Sequence, residues 1–326
     1  VDLSVLFVGT GGSAPVAQRG MPALLVRRGG DRLLFDCGEG TQRQLVRSVG
    51  LLELDRIFLT HYHADHWLGL PGLLKTYALR ERSQPLELYG PPGLEEVLKA
   101  LRMAYGKDLP YRLDRHELQP FEEVRFDGYA VTAIPVSHKR SAYGYVLFED
   151  RRPGEFNPQL ATELGIKPGP EFGRLQRGEV VRGVRPEQVL GPPRLGRKLV
   201  ISGDTAPCEA LALAAHEADL LVHEATFCEE DRQRAAETNH STAKQAAELA
   251  QGAGVRMLAL VHFSGRYPPR AVREEAQAVF PGSVLPADFD QVEIPFPERG
   301  GPQLIPWRSA SKPTAGAADK VTKEVL

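Results

Sequence analysis

Four metal-capable side chains fall within six residues of this chain: His61, His63, Asp65 and His66. They follow directly on a strand-like apolar run, Arg56-Ile57-Phe58-Leu59-Thr60. Imidazole and carboxylate are ligands for zinc and similar divalent ions. A lone histidine is more often packing or surface than ligand, but packing gives no reason for four donors at one strand exit. The run therefore sets the strongest condition on the fold, which must bring further donors to the end of this strand.

Three other apolar runs finish in the same way. Ala133-Ile134-Pro135-Val136-Ser137 leads into His138, Leu199-Val200-Ile201-Ser202-Gly203 into Asp204, and Leu258-Ala259-Leu260-Val261 into His262. These donors converge if the strands share a sheet edge or a sandwich rim, where α/β active sites form. The count suits two metals. His61, His63 and His138 would hold one ion, Asp65, His66 and His262 the other, and Asp204 would bridge. Two divalent cations against two carboxylates and one hydroxide leave about one net positive charge, which suits a singly charged phosphodiester.

His240 stands just before a helix start marked by Thr242-x-x-Gln245, a capping-box pattern. Backbone N–H groups there favour a phosphate, and His240 is placed to protonate a leaving oxygen. Glu224, after the run Leu220 to His223, is the candidate to orient His240 and share the acid role. An ordinary buried ion pair fits the same two residues, and the choice stays open at this point. His223 reads as a hydrogen bonder behind the site, and His116 and His216 as surface residues. Gly9-x-Gly11-x-x-Ala14 imitates a dinucleotide fingerprint, but Pro15 and Pro22 stand where a helix would have to open. It reads as a tight turn, with Asp36 buttressing neighbouring loops, the histidine loop among them.

Strand-like runs at 5–8, 23–27, 32–35, 56–60, 86–89, 124–126, 130–135, 198–202, 220–223 and 257–261 alternate with helical ones. The helices are expected at 41–48, 68–82, 94–105 and 242–251, the last stopped by Gly252. This alternation predicts an α/β layered fold. No apolar run approaches the ~20 residues of a membrane helix, and Leu3 to Val8 is too short for a signal segment. Cys37, Cys208 and Cys228 are widely spaced and odd in number, which argues against a disulfide framework or thiolate-bound zinc and fits a reducing cytoplasm. Residues 151–190 break the alternation with glycine, proline and charge. From Arg151 to Lys198 ten Lys/Arg face five Glu, a net of +5 in a chain whose total is -2. On charge alone a solvated loop is the simpler reading, and a site for a polyanion the sharper one. The tail, 308–326, has few apolar anchors and is expected to be mobile.

Together these motifs resemble the metallo-β-lactamase superfamily and, within it, the tRNase Z family of tRNA 3′-processing endoribonucleases. The resemblance is carried by Phe35-Asp36-Cys37-Gly38-Glu39-Gly40-Thr41-Gln42, Thr60 to His66 with Gly69-Leu70-Pro71-Gly72, Val136-Ser137-His138 and Tyr143-Gly144-Tyr145. It continues through Gly203-Asp204-Thr205, His223-Glu224-Ala225-Thr226, His240-Ser241-Thr242-Ala243 and His262-Phe263-Ser264-x-Arg266-Tyr267. It implies a four-layer αβ/βα sandwich over residues 1–307, interrupted by a flexible tRNA-binding arm at 151–190. It implies two Zn2+ per subunit, with Mn2+ as the alternative, Asp65 near the attacking water, and Glu224 with His240 near the leaving group. The implied reaction is removal of the 3′ trailer from a tRNA precursor, leaving a 3′-hydroxyl on the tRNA. The arm would grip the tRNA body through Lys167, Gly169, Pro170, Arg174 and Arg177, commonly in a cytoplasmic homodimer in which one subunit's arm serves the other's site. Two positions depart from the family pattern. Ala64 stands where glycine is usual, which a backbone that is not left-handed tolerates. The first loop, Pro15-Val16-Ala17-Gln18-Arg19-Gly20, lacks the family's lysine and asparagine. A hydrolase of small phosphodiesters would need the same centre without an arm, and a non-catalytic RNA-binding protein would lack ligands that this chain retains.

Overall fold

The computed structural model describes residues 1–105, 108–138 and 141–307; the tail at 308–326 lies outside them. Strands β1 (Leu3–Gly9), β2 (Ala23–Arg28), β3 (Asp31–Phe35), β4 (Arg56–Phe58), β5 (Leu86–Gly90) and β6 (Leu113–Glu117) build most of a first sheet. β7 (Glu123–Phe126), β8 (Tyr129–Pro135), β9 (Tyr143–Glu149), β10 (Lys198–Ile201), β11 (Leu220–Glu224), β12 (Met257–Val261) and β13 (Ser283–Val284) form a second. The chain returns to the first with β14 (Gln291–Glu293) and β15 (Gln303–Ile305). The strand orders are β15-β14-β1-β2-β3-β4-β5-β6 and β13-β12-β11-β10-β9-β8-β7. β3 to β6 run parallel, as do β10 to β13. Each parallel set therefore delivers its carboxyl ends to one edge.

The sheets pack face to face because their strands are apolar on both sides. In β1, Leu3, Val5 and Phe7 enter the core between the sheets, and Leu6 and Val8 enter a second core beneath helices. This is the period-two pattern of a strand covered on both faces. Helices α1 (Thr41–Ser48), α2 (Ala64–Trp67), α3 (Leu70–Leu79) and α4 (Leu94–Tyr105) belong to the first sheet's side. An arm between β9 and β10 holds α5 (Pro158–Glu163), α6 (Pro170–Gln176) and α7 (Pro186–Val189). Then come α8 (Glu209–Ala215), α9 (Arg232–Thr238), α10 (Ala243–Ala253) and α11 (Pro269–Val279), with α8, α10 and α11 on the second sheet. The layers run helix, sheet, sheet, helix, and the chain is a four-layer αβ/βα sandwich.

Three local outcomes differ from the sequence reading. The helix expected at 68–82 breaks at Gly69, where a Cβ would stand 2.1 Å from the Gly38 carbonyl oxygen. A separate turn not expected from the sequence, α2, precedes it inside the histidine run, and Ala64 there is not left-handed. Helix α10 has the expected capping box between Thr242 and Gln245, but it ends at Gly254 in the left-handed region rather than at Gly252. Residues 151–190, expected to be irregular, contain three short helices, each opened by a proline. They close over a small core of Ala161, Ile166, Leu175, Val181, Val184 and Val189.

Candidate metal centre

The four donor-bearing strand ends meet at one rim. His61, His138 and Asp204 lie three residues beyond β4, β8 and β10, and His262 directly follows β12. His61, His63, His138 and Asp204 each offer one ligand atom within 4.8 Å of the others, and so do Asp65, His66 and His262. Asp204 Oδ2 sits between the two groups, 3.7 Å from His61 Nε2, 3.4 Å from His66 Nε2 and 3.3 Å from His262 Nε2. Asp65 Oδ2 is 3.2 Å from His262 Nε2 and accepts a hydrogen bond from Ser13 N–H at 2.9 Å.

Hydrogen bonds behind the rings decide which nitrogens face inward. His138 Nδ1 donates to the Asn239 carbonyl at 2.9 Å, and His66 Nδ1 donates to Asp36 at 2.8 Å. Both partners can only accept, so these nitrogens carry the hydrogen. Thr60 gives its hydroxyl proton to Asp36 and Thr226 gives its own to Glu224, so each is left to accept from His61 Nδ1 at 3.0 Å and from His262 Nδ1 at 2.9 Å. Four Nε2 lone pairs are thereby turned inward. His63 presents Nδ1 instead, 3.1 Å from His138 Nε2.

This donor set fits divalent cations. His61 Nε2 is buried without a hydrogen-bond partner, although its ring is fully enclosed. An orphaned lone pair among other lone pairs and two carboxylates is costly unless a cation is shared there. Burial and the neighbouring His66 hold His61 well below the usual imidazole range, so it is a neutral ligand. Burial opposes charge on Asp204, but His262 and His66 outweigh it and hold the carboxyl well below its usual range. With five imidazoles, two carboxylates and no thiolate, the set suits zinc or manganese.

Beside the centre, His240 Nδ1 donates to Glu224 Oε1 at 2.7 Å. Glu224 also accepts from Thr205 N–H at 2.8 Å, from Thr226 N–H at 3.1 Å and from the Thr226 hydroxyl. Burial alone would lower the His240 pKa, but Glu224 raises it to about 9. The pair therefore holds a protonated imidazole next to the metal ligands, with His240 within reach of Asp204 and His262. Sequence reasoning left this pair open between acid and ion pair; the structure shows the two hydrogen-bonded beside the rim.

His223 donates from Nδ1 to the Glu224 carbonyl at 2.7 Å, behind the site, while His116 and His216 are exposed. Lys167, Gly169, Pro170, Arg174 and Arg177 lie on α6 and immediately around it, in the arm, and the structure does not bring them to the centre. Arg174 and Arg177 share Glu179, Arg182 pairs with Glu171, and Arg152 and Arg194 share Glu298. Arg197, counted in the basic zone, is buried against Glu149. Of these acids only Glu298 and Glu149 lie outside residues 151–198, so they offset two of the five excess charges, and Lys167 is a cation there with no acidic partner among the described residues. The sequence reading had singled out neither Thr226 nor Ser13 as a support of the centre, nor the carbonyl of Asn239; the threonine's place beside Glu224 was the one available signal.

A family model described as the metallo-beta-lactamase superfamily matches residues 21–150. A protein named Ribonuclease Z from Halorubrum lacusprofundi is 46% identical over 307 residues, covering 91% of this chain and 99% of that protein. One of the same name from Myxococcus xanthus is 46% identical over 304 residues, with coverages of 91% and 99%. Among solved structures, the short form of human tRNase Z is 29% identical with a TM-score of 0.66, covering 90% of this chain and 99% of that one.

Proposed function

This chain belongs to the ribonuclease Z family of metallo-β-lactamase-fold hydrolases and is a metal-dependent endoribonuclease of tRNA precursors; we propose that it removes the 3′ trailer and leaves a 3′-hydroxyl on the tRNA. The reading extends to two Zn2+ ions, with Mn2+ as the alternative, held by His61, His63, Asp65, His66, His138, Asp204 and His262. Bound there, the ions would lower the pKa of a water between them and offset charge developing on the phosphoryl oxygens. Asp65 is fixed by the Ser13 N–H, and its carboxylate would accept a hydrogen bond from the attacking water and aim it. His240 gives its Nε2 proton to the 3′-oxygen as the P–O bond breaks. Glu224 stays ionised, steadied by three further hydrogen bonds, and favours the imidazolium before the transfer.

The observation that carries this reading is the His240–Glu224 pair standing against a seven-donor centre. A hydrolase of small esters needs the centre but has less use for an acid held ready for a poor leaving group. The arm is proposed as the grip on the tRNA body, working across a cytoplasmic homodimer. The test is incubation of the protein with a labelled trailer-bearing precursor, with and without chelator, and mapping of the product end. Chelator-sensitive cleavage leaving a 3′-hydroxyl at the tRNA end is expected. Chelator-insensitive cleavage, or a 3′-phosphate product, would sink the reading.

A further inference from the structure

Glu275, half-buried on α11, hydrogen-bonds to none of the proposed metal ligands and to neither member of the acid pair among the described residues. Its carboxylate instead straddles two stretches of main chain. Oε2 accepts from Glu229 N–H at 2.9 Å, and Oε1 accepts from Lys244 N–H at 2.9 Å. Glu229 opens a short 3₁₀ turn (Glu229–Asp231) downstream of Glu224, and Lys244 is the second residue of α10, downstream of His240. Main-chain N–H groups at the start of a helical turn have no partner within that turn, so the carboxylate completes both.

The two stretches carry the two halves of the acid pair, and they run side by side. Ala243 N–H donates to the Phe227 carbonyl at 2.9 Å, and Phe227 N–H donates to the Ser241 carbonyl at 3.3 Å. The Thr242 hydroxyl donates to Glu229 at 3.0 Å and accepts from Gln245 N–H at 3.1 Å. These bonds join the stretches to each other, whereas Glu275 joins both to a third element. That element, α11, follows the β12–α11 connection on which His262 stands, and it packs against α10 through Val272 and Ala276. The Tyr267 hydroxyl, on the same connection, donates to Asp231 and ties the 3₁₀ turn a second time.

We propose that Glu275 is a positioning residue for the leaving-group acid: by holding the Glu224 and His240 stretches against the helix that follows His262, it aims His240 Nε2 at the 3′-oxygen. The inference rests on the reading of His240 as the acid and adds what sets its aim from outside the pair. An acid acts only within hydrogen-bond reach of the oxygen it protonates, and a displacement of about 1 Å costs on the order of 100-fold in rate.

Glu275→Gln is the probe. Both groups facing the carboxylate are donors, and an amide has a single acceptor oxygen, so its NH2 must meet an N–H. The assay is cleavage of two precursors, one ordinary and one with sulfur in place of the 3′-oxygen at the cut. A thiol is a far stronger acid than an alcohol, so the sulfur leaves as a thiolate and does not call on His240. On the ordinary precursor kcat should fall about 10- to 100-fold with KM little changed. On the sulfur precursor the loss should be smaller by about tenfold or more, and in a His240→Ala background the substitution should add little on either. Glu275→Asp keeps the charge but shortens the reach by one methylene; it should show the same split, and it carries the test where the glutamine variant is unfolded at the assay temperature. Parent kcat in a folded Glu275→Gln would overturn the proposal. So would equal losses on the two precursors, the mark of a general loosening of the fold. A His240→Ala variant that loses as much on the sulfur precursor as on the ordinary one would remove the acid itself and the proposal with it, an outcome visible before Glu275 is altered.

Discussion

Asp36 touches no proposed substrate or metal, yet the arrangement around it makes Asp36→Asn a sharp probe of the centre. Its Oδ1 accepts from Thr60 N–H at 2.8 Å, and its Oδ2 accepts from His66 Nδ1 at 2.8 Å. The Thr60 hydroxyl, which in turn holds His61, lies within 3.0 Å of both oxygens. All the groups facing this carboxylate are donors. An amide offers one acceptor and one NH2 group, so either orientation sets a buried donor against a donor. Leaving a buried donor unsatisfied costs about 1–3 kcal/mol, which is roughly 5- to 150-fold in a binding constant. Loss of a partner behind a metal ligand commonly costs about 10–100-fold, in the same range. The backbone gives no competing effect, because Asp36 has φ 59 and asparagine adopts the left-handed region at least as readily. The assay is zinc competition against a chromophoric chelator, with thermal unfolding of the metal-free protein as control. Weaker zinc binding by one to two decades is expected, with precursor cleavage partly restored by excess metal. Parent affinity and parent turnover in Asp36→Asn would refute the reasoning. Lost stability with unchanged zinc affinity would reduce Asp36 to a buttress of the β3–β4 connection.

Asp65→Ala and His240→Ala should each lose most precursor cleavage while filter-bound precursor stays comparable; for His240 the loss should be about 10²–10⁴-fold, and turnover near the parent's would remove it from the mechanism. Excising 155–190 and joining Gly154 to Gly191, whose backbones already approach closely, should weaken precursor binding and leave bis(p-nitrophenyl) phosphate hydrolysis intact. Equal loss on both substrates would refute a separate grip. Glu149→Gln breaks the buried pair with Arg197, held by two contacts of 2.7 Å, and should destabilise by about 3–5 kcal/mol in denaturant midpoint at neutral pH. Burial opposes the Glu149 charge but Arg197 outweighs it and depresses its pKa, so its contribution is complete above the ordinary carboxylate value of about 4.3 and fades as pH falls through the lower folded value. The gap between parent and variant should close in that acid window, and a gap constant down to pH 3 would contradict the assignment.

The centre was legible because each donor ends an apolar run, and period-two burial forces such runs into sheets whose carboxyl ends share an edge. His138, Asp204 and His262 could be joined to the His61–His66 run on that ground alone, across two hundred residues. The capping box at Thr242 was legible for a local reason, since both of its hydrogen bonds lie within four residues. What escaped was carried by main-chain atoms or by distant partners. The Asn239 carbonyl that fixes His138 and the Ser13 N–H that fixes Asp65 leave no trace in residue type. Strand β6, Leu113-Asp114-Arg115-His116-Glu117, is an edge strand with exposed polar residues and no apolar run to betray it. The charge of the arm is only partly legible for a related reason: a count over 151–198 cannot know that Arg197 meets Glu149 in the core, or that Glu298 reaches back to Arg152.

One hydroxyl shows how the two halves of the site are tied. Thr226 Oγ1 donates to Glu224 and lies 2.9 Å from His262 Nδ1 and 3.2 Å from His240 Nδ1. His262 is on the metal side and His240 on the acid side, and their rings stack at 5.6 Å with planes 16° apart. A hydroxyl has one proton, and it goes to the carboxylate; both imidazoles therefore meet an oxygen that can only accept from them. On His262 that fixes the hydrogen on Nδ1 and leaves Nε2 for the cations; on His240 the Nδ1 hydrogen goes to Glu224, which the same hydroxyl steadies. The neighbouring sequence His223-Glu224-Ala225-Thr226 thus does more than supply a glutamate. It places a hydroxyl that sets the His262 tautomer beside a carboxylate that holds the His240 Nδ1 hydrogen, so both rings are oriented by one short turn after β11.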